Sequence, residues 1–161
     1  MRCPIASTIW EDPTYEWTEN NSFLTAARVC RNDSTHTETE TVEVTIEIVP
    51  PTENTEGTAV YTPGGFKNEA FTARTMERTI KALQDMAVFR LPETLEVIEE
   101  EAFEGLAFEA VIIPDSCTSI GRRAFRNCRN LVYVRIPARL AIPDDAFEEC
   151  GEIIIDRTGE Q

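Results

Sequence analysis

The chain has 161 residues, of which 42% are hydrophobic, and its formal net charge is −14 at pH 7. The apolar content is sufficient for a folded core, and the length suits one ordinary domain or two small ones. A negative field repels nucleic-acid backbones and anionic lipid, no run of 18 apolar residues is long enough to insert into a membrane, and no apolar segment near the start forms a signal peptide, so the protein is either intracellular or a piece of a longer exported chain.

Alternating polar and apolar residues in the first half predict β-strands. In TETETVEVTIEIV, residues Thr37–Val49, the valines and isoleucines occupy one face while Glu43, Thr45 and Glu47 occupy the other, which is typical of a half-buried strand. SFLTAARVCR precedes it across the turn-like NDST, and TAVYT and FTARTMERTI flank the loop PGGFKNEA. Residues 1–82 are therefore predicted to form a small antiparallel β-hairpin module of four or five strands.

Residues that could carry chemistry are sparse. His36 is the only histidine and lies across a turn from Cys30, but a structural zinc site needs four ligands, and the place where a third could sit holds Leu24. The acidic run Glu99–Glu101 is typical of a solvated edge, and neither a G-x-S-x-G motif nor a phosphate loop occurs. We expect no enzymatic activity, no metal and no cofactor.

The second half contains three copies of one pattern, each built around an Ala-Phe pair and spaced by 22 or 23 residues. A single unit of this size cannot bury its own apolar residues, whereas stacked units align equivalent residues into continuous columns. Four columns are predicted: Phe103, Phe125 and Phe147; Ile98, Ile120 and Ile142; Leu91, Ile113 and Ile136; Phe89, Val111 and Val134.

The same period predicts the strands of a parallel sheet near Ala87–Leu91, Glu109–Ile113, Val132–Ile136 and Ile153–Ile155, with a proline closing the first three. The fold class is therefore mainly β, α+β at most: an antiparallel hairpin module in residues 1–82 and a short solenoid with a parallel sheet in residues 83–161.

Charged residues recur in register with the repeat. Three columns read acid, base, acid: Glu100, Arg122 and Asp144; Glu101, Arg123 and Asp145; Glu104, Arg126 and Glu148. Stacked coils lie about 5 Å apart, so each arginine is predicted to lie between acids of the coils above and below and to fix the register. The alternative is a basic patch of these arginines with Arg129 that binds an acidic partner.

The cysteine count of five is odd and no C-x-x-C pair occurs, so neither a disulfide framework nor a zinc ribbon is indicated. Cys128 and Cys150 are 22 residues apart, and adjacent coils could bring them within disulfide range. The favoured interpretation is a small buried apolar position, which Leu106 fills in the preceding copy.

Two segments carry family resemblances. The pattern IPxxxTxIGxxAFxxCxxLxxVxIP, clearest in Ile113–Pro137, resembles the BspA-like leucine-rich repeat of bacterial surface antigens, over roughly Asp85–Ile155. That resemblance implies an exported protein with a role in adhesion or protein binding. Tyr15–Val42 resembles a small β-module found beside such repeats, with a Trp, then N-S, A-x-R-V-C and H-x-E-T-E; Leu24 stands where relatives often have an additional Cys. It implies no particular activity.

Taken together, the sequence favours a non-catalytic interaction and adhesion module of an exported bacterial surface protein, located at the cell surface or outside the cell. Its partner would be a protein of the host or of a bacterial surface, not nucleic acid, and its ligand identity and oligomeric state stay open. Glu109, Tyr133 and Arg135 are predicted to lie on the exposed face of the parallel sheet and to contact that partner. The alternatives are a structural spacer or cap of a larger surface protein, or an accessory domain of an absent enzyme.

Overall fold

The structure is a computed structural model that describes residues 9–18 and 21–158. The described part of the chain has eleven strands, one turn of 3-10 helix and no α-helix, which confirms the mainly-β prediction. Its residues form two compact units. One contains the residues up to Glu47 together with Val60–Glu77, and the other contains Ile48–Ala59 together with the residues from Arg78 onward. The domain division at residues 82 and 83 stays a prediction.

Five strands form the first sheet, and their order in the sheet follows their order in the chain: β1 Thr14–Trp17, β2 Phe23–Cys30, β3 Asp33–Val49, β4 Gly57–Pro63 and β5 Met76–Ile80. β1 and β3 both run antiparallel to β2. The predicted antiparallel module of four or five strands is thus confirmed, with five.

The hairpin between β2 and β3 is tighter than the sequence indicated. Cys30 pairs directly with Asp33, so only two residues form the turn, and β3 begins inside the segment NDST. Along β3, Val42, Val44 and Ile48 are half-buried while the intervening residues are exposed, as the alternation predicts. Ile46 departs from that pattern, with 40% of its surface exposed.

The repeats form a stack of coils. After the 3-10 turn Leu83–Asp85, six strands follow: β6 Val88–Arg90, β7 Val97–Ile98, β8 Ala110–Ile112, β9 Ser119–Ile120, β10 Tyr133–Pro137 and β11 Ile154–Thr158. β6, β8, β10 and β11 are neighbours in one parallel sheet, and β7 and β9 pair as a second parallel ladder. The predicted parallel sheet is confirmed.

The phenylalanine column forms as the spacing predicts. The ring centroid of Phe125 lies 5.4 Å from that of Phe103 and 5.3 Å from that of Phe147, and both pairs are stacked. Phe125 is fully buried, but the expectation of deep burial is wrong for the other two rings, which are half-buried. They belong to the first and last copies, where the stack covers them on fewer sides.

The other three columns are also in register. Ile98 pairs with Ile120, and Val111 pairs with both Phe89 and Val134. All the remaining members lie in or against one core cluster: Leu91, Ile113, Ile136 and Ile142. The period of the sequence therefore determines which side chains meet between coils.

Each coil turns through a left-handed residue at the same point of the repeat. Gly105, Asn127 and Glu149 have φ angles of +71°, +58° and +59°. Glycine and asparagine adopt this conformation readily, whereas glutamate adopts it at a cost. The turn brings backbone N–H groups against the next coil: the amides of Phe103 and Gly105 donate to the carbonyls of Ala124 and Arg126, each over 2.8 Å.

Candidate functional site

The strands of the parallel sheet present alternate residues to opposite faces. The inner face faces the coil core, with Phe89, Val111, Val134 and Ile155. The opposite, outer face carries two rows that the strand register aligns: Val88, Ala110, Tyr133 and Ile154; Arg90, Ile112, Arg135 and Asp156. Two predicted site residues, Tyr133 and Arg135, therefore lie on the outer face, and Glu109 directly precedes β8.

The prediction that this face exposes Tyr133 is wrong. Tyr133 has 0% of its surface exposed. An earlier segment of the same compact unit explains the burial: the carbonyl of Pro51 accepts a hydrogen bond from Arg135 Nη2 at 3.0 Å, and Pro51 is itself buried. The carbonyls of Thr52 and Glu53 accept hydrogen bonds from the amides of Leu83 and Gln84. Residues 51–53 are thus held beside the outer face.

Tyr133, Arg135 and Asp156 form one buried hydrogen-bond network. The Tyr133 hydroxyl donates to Asp156 Oδ2 at 2.5 Å, and Arg135 Nε donates to the same oxygen at 3.2 Å. Arg135 Nη2 also donates to the Tyr133 oxygen at 3.1 Å. Asp156 is 5% exposed, and burial, aided by the adjacent carboxylate, raises the pKa of Tyr133. The buried carboxylate is paired with a cation and its donors are satisfied, so the network is suited to holding the face together.

Asp156 is a member that sequence reasoning missed. It follows the predicted strand Ile153–Ile155, and β11 extends through it, opposite Arg135 in register. The signal was present, because extending the 22-residue period places Asp156 beside Arg135, and a buried arginine needs an acidic partner.

Glu109 lies apart from this network. Its carboxylate accepts a hydrogen bond from the amide of Ala87 at 3.0 Å, which lowers the pKa of Glu109, and one from Lys81 Nζ at 3.4 Å. Its carbonyl accepts the amide of Val132 at 2.9 Å. The structure therefore brings Tyr133 and Arg135 together, whereas Glu109 is tied to the start of β6.

The charge columns are confirmed for two of the three arginines. Arg123 lies within 3.9 Å of both Glu101 and Asp145, in the coils before and after it. Arg126 lies 3.8 Å from Glu104 and 3.5 Å from Glu148, and it hydrogen-bonds Glu149 at 2.9 Å, which lowers the pKa of Glu149.

For Arg122 the predicted column is wrong. It pairs with Asp145 at 2.9 Å instead of Asp144, since the coils are offset by 23 residues at this position. Arg129 donates to Asn127 at 2.8 Å. Because acidic side chains surround these arginines, the charge of the proposed basic patch is largely neutralised within the stack.

The four cysteines within the described ranges are free thiols, so the Cys128–Cys150 disulfide does not form; Cys3 lies outside those ranges. The Cys128 thiol donates to the Phe103 carbonyl at 3.2 Å and the Cys150 thiol to the Phe125 carbonyl at 3.0 Å. Burial raises the pKa of both thiols, that of Cys150 to about 11. Leu106 does not fill the same buried position, because it is 42% exposed.

The motifs of the N-terminal module hold the module together. Arg28 lies over the Trp10 ring at 4.3 Å and pairs with Glu38 at 2.6 Å, while Glu40 accepts the amides of Lys67 and Asn68. Cys30 is buried and His36 packs against Trp10. In the part of the chain with coordinates, no group of three or more His, Cys, Asp or Glu side chains could hold a metal ion. Nor does any helix of those residues suit a membrane span.

A parallel sheet built from coils of 22 or 23 residues, with one apolar column per equivalent position, defines a leucine-rich-repeat solenoid. A family model described as the BspA type leucine rich repeat region, in six copies, matches residues 66–156. The match covers more than half of the chain, which therefore belongs to this family. Repeats of this family are generally non-enzymatic protein-interaction folds. No curated protein matches the chain.

Proposed function

We propose that this chain is a non-catalytic protein-interaction module of an exported bacterial surface protein and that it acts in adhesion. The observation that supports this most is the in-register stack of coils in a chain that belongs to the BspA-type family. Solenoids of this kind present an extended surface to protein partners. The partner is a protein on a host or bacterial surface.

Export is part of the proposal, and the state of the thiols supports it. Cys30, Cys117 and Cys128 are buried, and burial raises the pKa of Cys128 and Cys150. Because the thiolate is the form that reacts, such thiols resist oxidation outside the cell. Protease treatment of intact cells of the bacterium that makes the protein, followed by detection with an antibody, should remove the chain; full protection in intact cells would contradict export.

For the partner, we propose the rim of the outer face. The side chains of Glu109 and Arg135 retain 34% and 24% of their exposure, so both can touch a partner while keeping their internal bonds. Tyr133 contributes through its hydrogen bond with Arg135. This face carries charge of both signs, which favours a protein partner with complementary charges.

Binding can be tested with the labelled chain on intact host and bacterial cells. We expect saturable binding that unlabelled chain competes away and that protease treatment of the target cells abolishes. Glu109→Gln should weaken it severalfold, while Glu93→Gln, a matched change at an exposed residue of the same solenoid, should not. Equal binding by the two variants would contradict the proposed face.

A structural spacer or cap is the second candidate, and two observations favour it. The central part of the outer face is buried, and the arginines of the stack are paired within it. Export without any saturable binding to either cell type would support the spacer and contradict the interaction module.

A further inference from the structure

The compact unit that contains the antiparallel sheet has a cleft of about 580 Å³ at β1, which is an end strand of that sheet. Eight residues of this unit line it: Asp12, Pro13, Tyr15, Trp17, Leu24, Ala70, Thr72 and Arg74. The volume falls within the range of small-molecule sites, which extends over roughly 300–1,000 Å³. The proposed protein interaction does not use this cleft.

Two aromatic rings form one wall of the cleft. Tyr15 and Trp17 are two residues apart on β1, so both side chains point to the same face of the strand. Each ring is supported by another aromatic residue: Trp17 packs edge-on against Tyr61 at 6.4 Å and Tyr15 contacts Phe66 at 6.3 Å. Leu24, opposite Trp17 in the strand register and 2% exposed, supplies an apolar floor.

The position of the Tyr15 ring is fixed further by a hydrogen bond. Its hydroxyl oxygen accepts the amide of Thr72 at 2.9 Å, yet the residue is 38% exposed. Its hydroxyl hydrogen stays available for a ligand. Rings that are held in place and partly open to solvent bind a ligand at a low cost in conformational entropy.

The rim of the cleft carries opposite charges that the fold does not use. Asp12 and Arg74 are exposed, and neither makes a hydrogen bond or an ion pair with any residue that the structure describes. A carboxylate only accepts hydrogen bonds and a guanidinium only donates them. A ligand that satisfies both must therefore offer donors and acceptors close together.

We propose that this cleft binds a neutral saccharide. The apolar C–H face of a sugar ring stacks on the negative face of an aromatic ring such as Tyr15 or Trp17. Its hydroxyl groups both donate and accept, so adjacent hydroxyls satisfy Asp12 and Arg74. A proline-rich peptide also docks on aromatic grooves, but it offers carbonyl acceptors without N–H donors at its prolines and leaves Asp12 unsatisfied. The net charge of −14 disfavours an acidic saccharide.

The test uses the full chain on an array of immobilised neutral oligosaccharides of hexoses and N-acetylhexosamines, with acidic saccharides and a proline-rich peptide as further probes. Hits are then titrated by calorimetry. Asp12→Asn and Arg74→Ala should each weaken binding about tenfold, as losing one charged hydrogen bond does. Matched controls are Glu11→Gln and Arg31→Ala, both exposed and outside the cleft lining, which should bind like the wild type.

All four variants change exposed side chains, so their melting temperatures should match that of the wild type, and a loss of binding would report the cleft itself. The proposal is overturned if no neutral oligosaccharide binds at millimolar concentration, or if the Asp12 and Arg74 variants bind as well as the controls. Tighter binding of the proline-rich peptide or of an acidic saccharide would also overturn it.

Discussion

Phe125 is the residue on which the coil stack depends most, because it is fully buried with a stacked ring on either side. Phe125→Ala should lower the free energy of unfolding by about 3–5 kcal/mol, as large aromatic truncations in cores do. Phe147→Ala should cost less, since that ring is only half-buried. Urea denaturation measures both, and a Phe125 variant that is no less stable than the Phe147 variant would contradict the burial order.

Gly121 is required by a close approach between coils. A Cβ atom there would lie 2.4 Å from the backbone nitrogen of Glu100, whereas a Cβ atom at Gly151 would meet nothing within 4 Å. Gly121→Ala should therefore destabilise the protein by about 1–3 kcal/mol, the usual cost of overpacking. Gly151→Ala is the matched control and should change stability by less than about 0.5 kcal/mol. Equal unfolding midpoints for the two variants would show that the coils are further apart.

Residue contacts divide into those that a period records and those that it does not. Phe125 could be placed against Phe103 and Phe147 from the sequence, because equal spacing marks equivalent positions in neighbouring coils. The burial of Tyr133 could not, because the residue that binds its neighbour Arg135 is Pro51, 84 positions earlier and outside the repeats. No periodicity connects those positions, so the expectation of an exposed face failed there.

The charged columns join coil to coil along their exposed side. Arg123 has acidic neighbours in both adjacent coils and a side chain that is 39% exposed. Arg123→Glu should therefore lower stability only modestly, by about 1 kcal/mol or less, and high salt should reduce the difference because screening weakens exposed pairs. Thermal melts of the wild type and the variant at low and high salt test this. Identical melting temperatures at low salt would reject a role in register and favour the basic-patch alternative.

The strands themselves were largely predictable, and their limits show why. In β3 the polar–apolar alternation gave the half-buried face correctly, yet the strand begins four residues earlier than expected, at Asp33, because a two-residue turn suffices for the hairpin. The column containing Arg122 shifted by one residue for a similar local reason. Spacing alone cannot show whether a coil gains its additional residue before or after a given side chain.

The extent of the solenoid unit goes beyond the repeats. Residues 51–53 and 83–84 are hydrogen-bonded to one another, and Arg135 binds Pro51, so the segment from residue 48 completes the unit. A fragment of residues 48–161 should unfold cooperatively. A fragment of residues 83–161 should be less stable, because it exposes apolar outer-face residues such as Ala110 and Tyr133. Circular dichroism melts compare them; equal stability would favour the division at residue 83 predicted from the sequence.

The central claim is that the repeats stack as successive coils joined by backbone hydrogen bonds, and amide hydrogen exchange followed by NMR tests it most directly. The amides of Phe103, Gly105, Gly121, Phe125 and Asn127 each donate to a carbonyl of an adjacent coil. We expect all five to be strongly protected and to lose protection together in Phe125→Ala, because they depend on one cooperative stack. Exchange of these amides at the rate of an unfolded chain of the same sequence would contradict the stack.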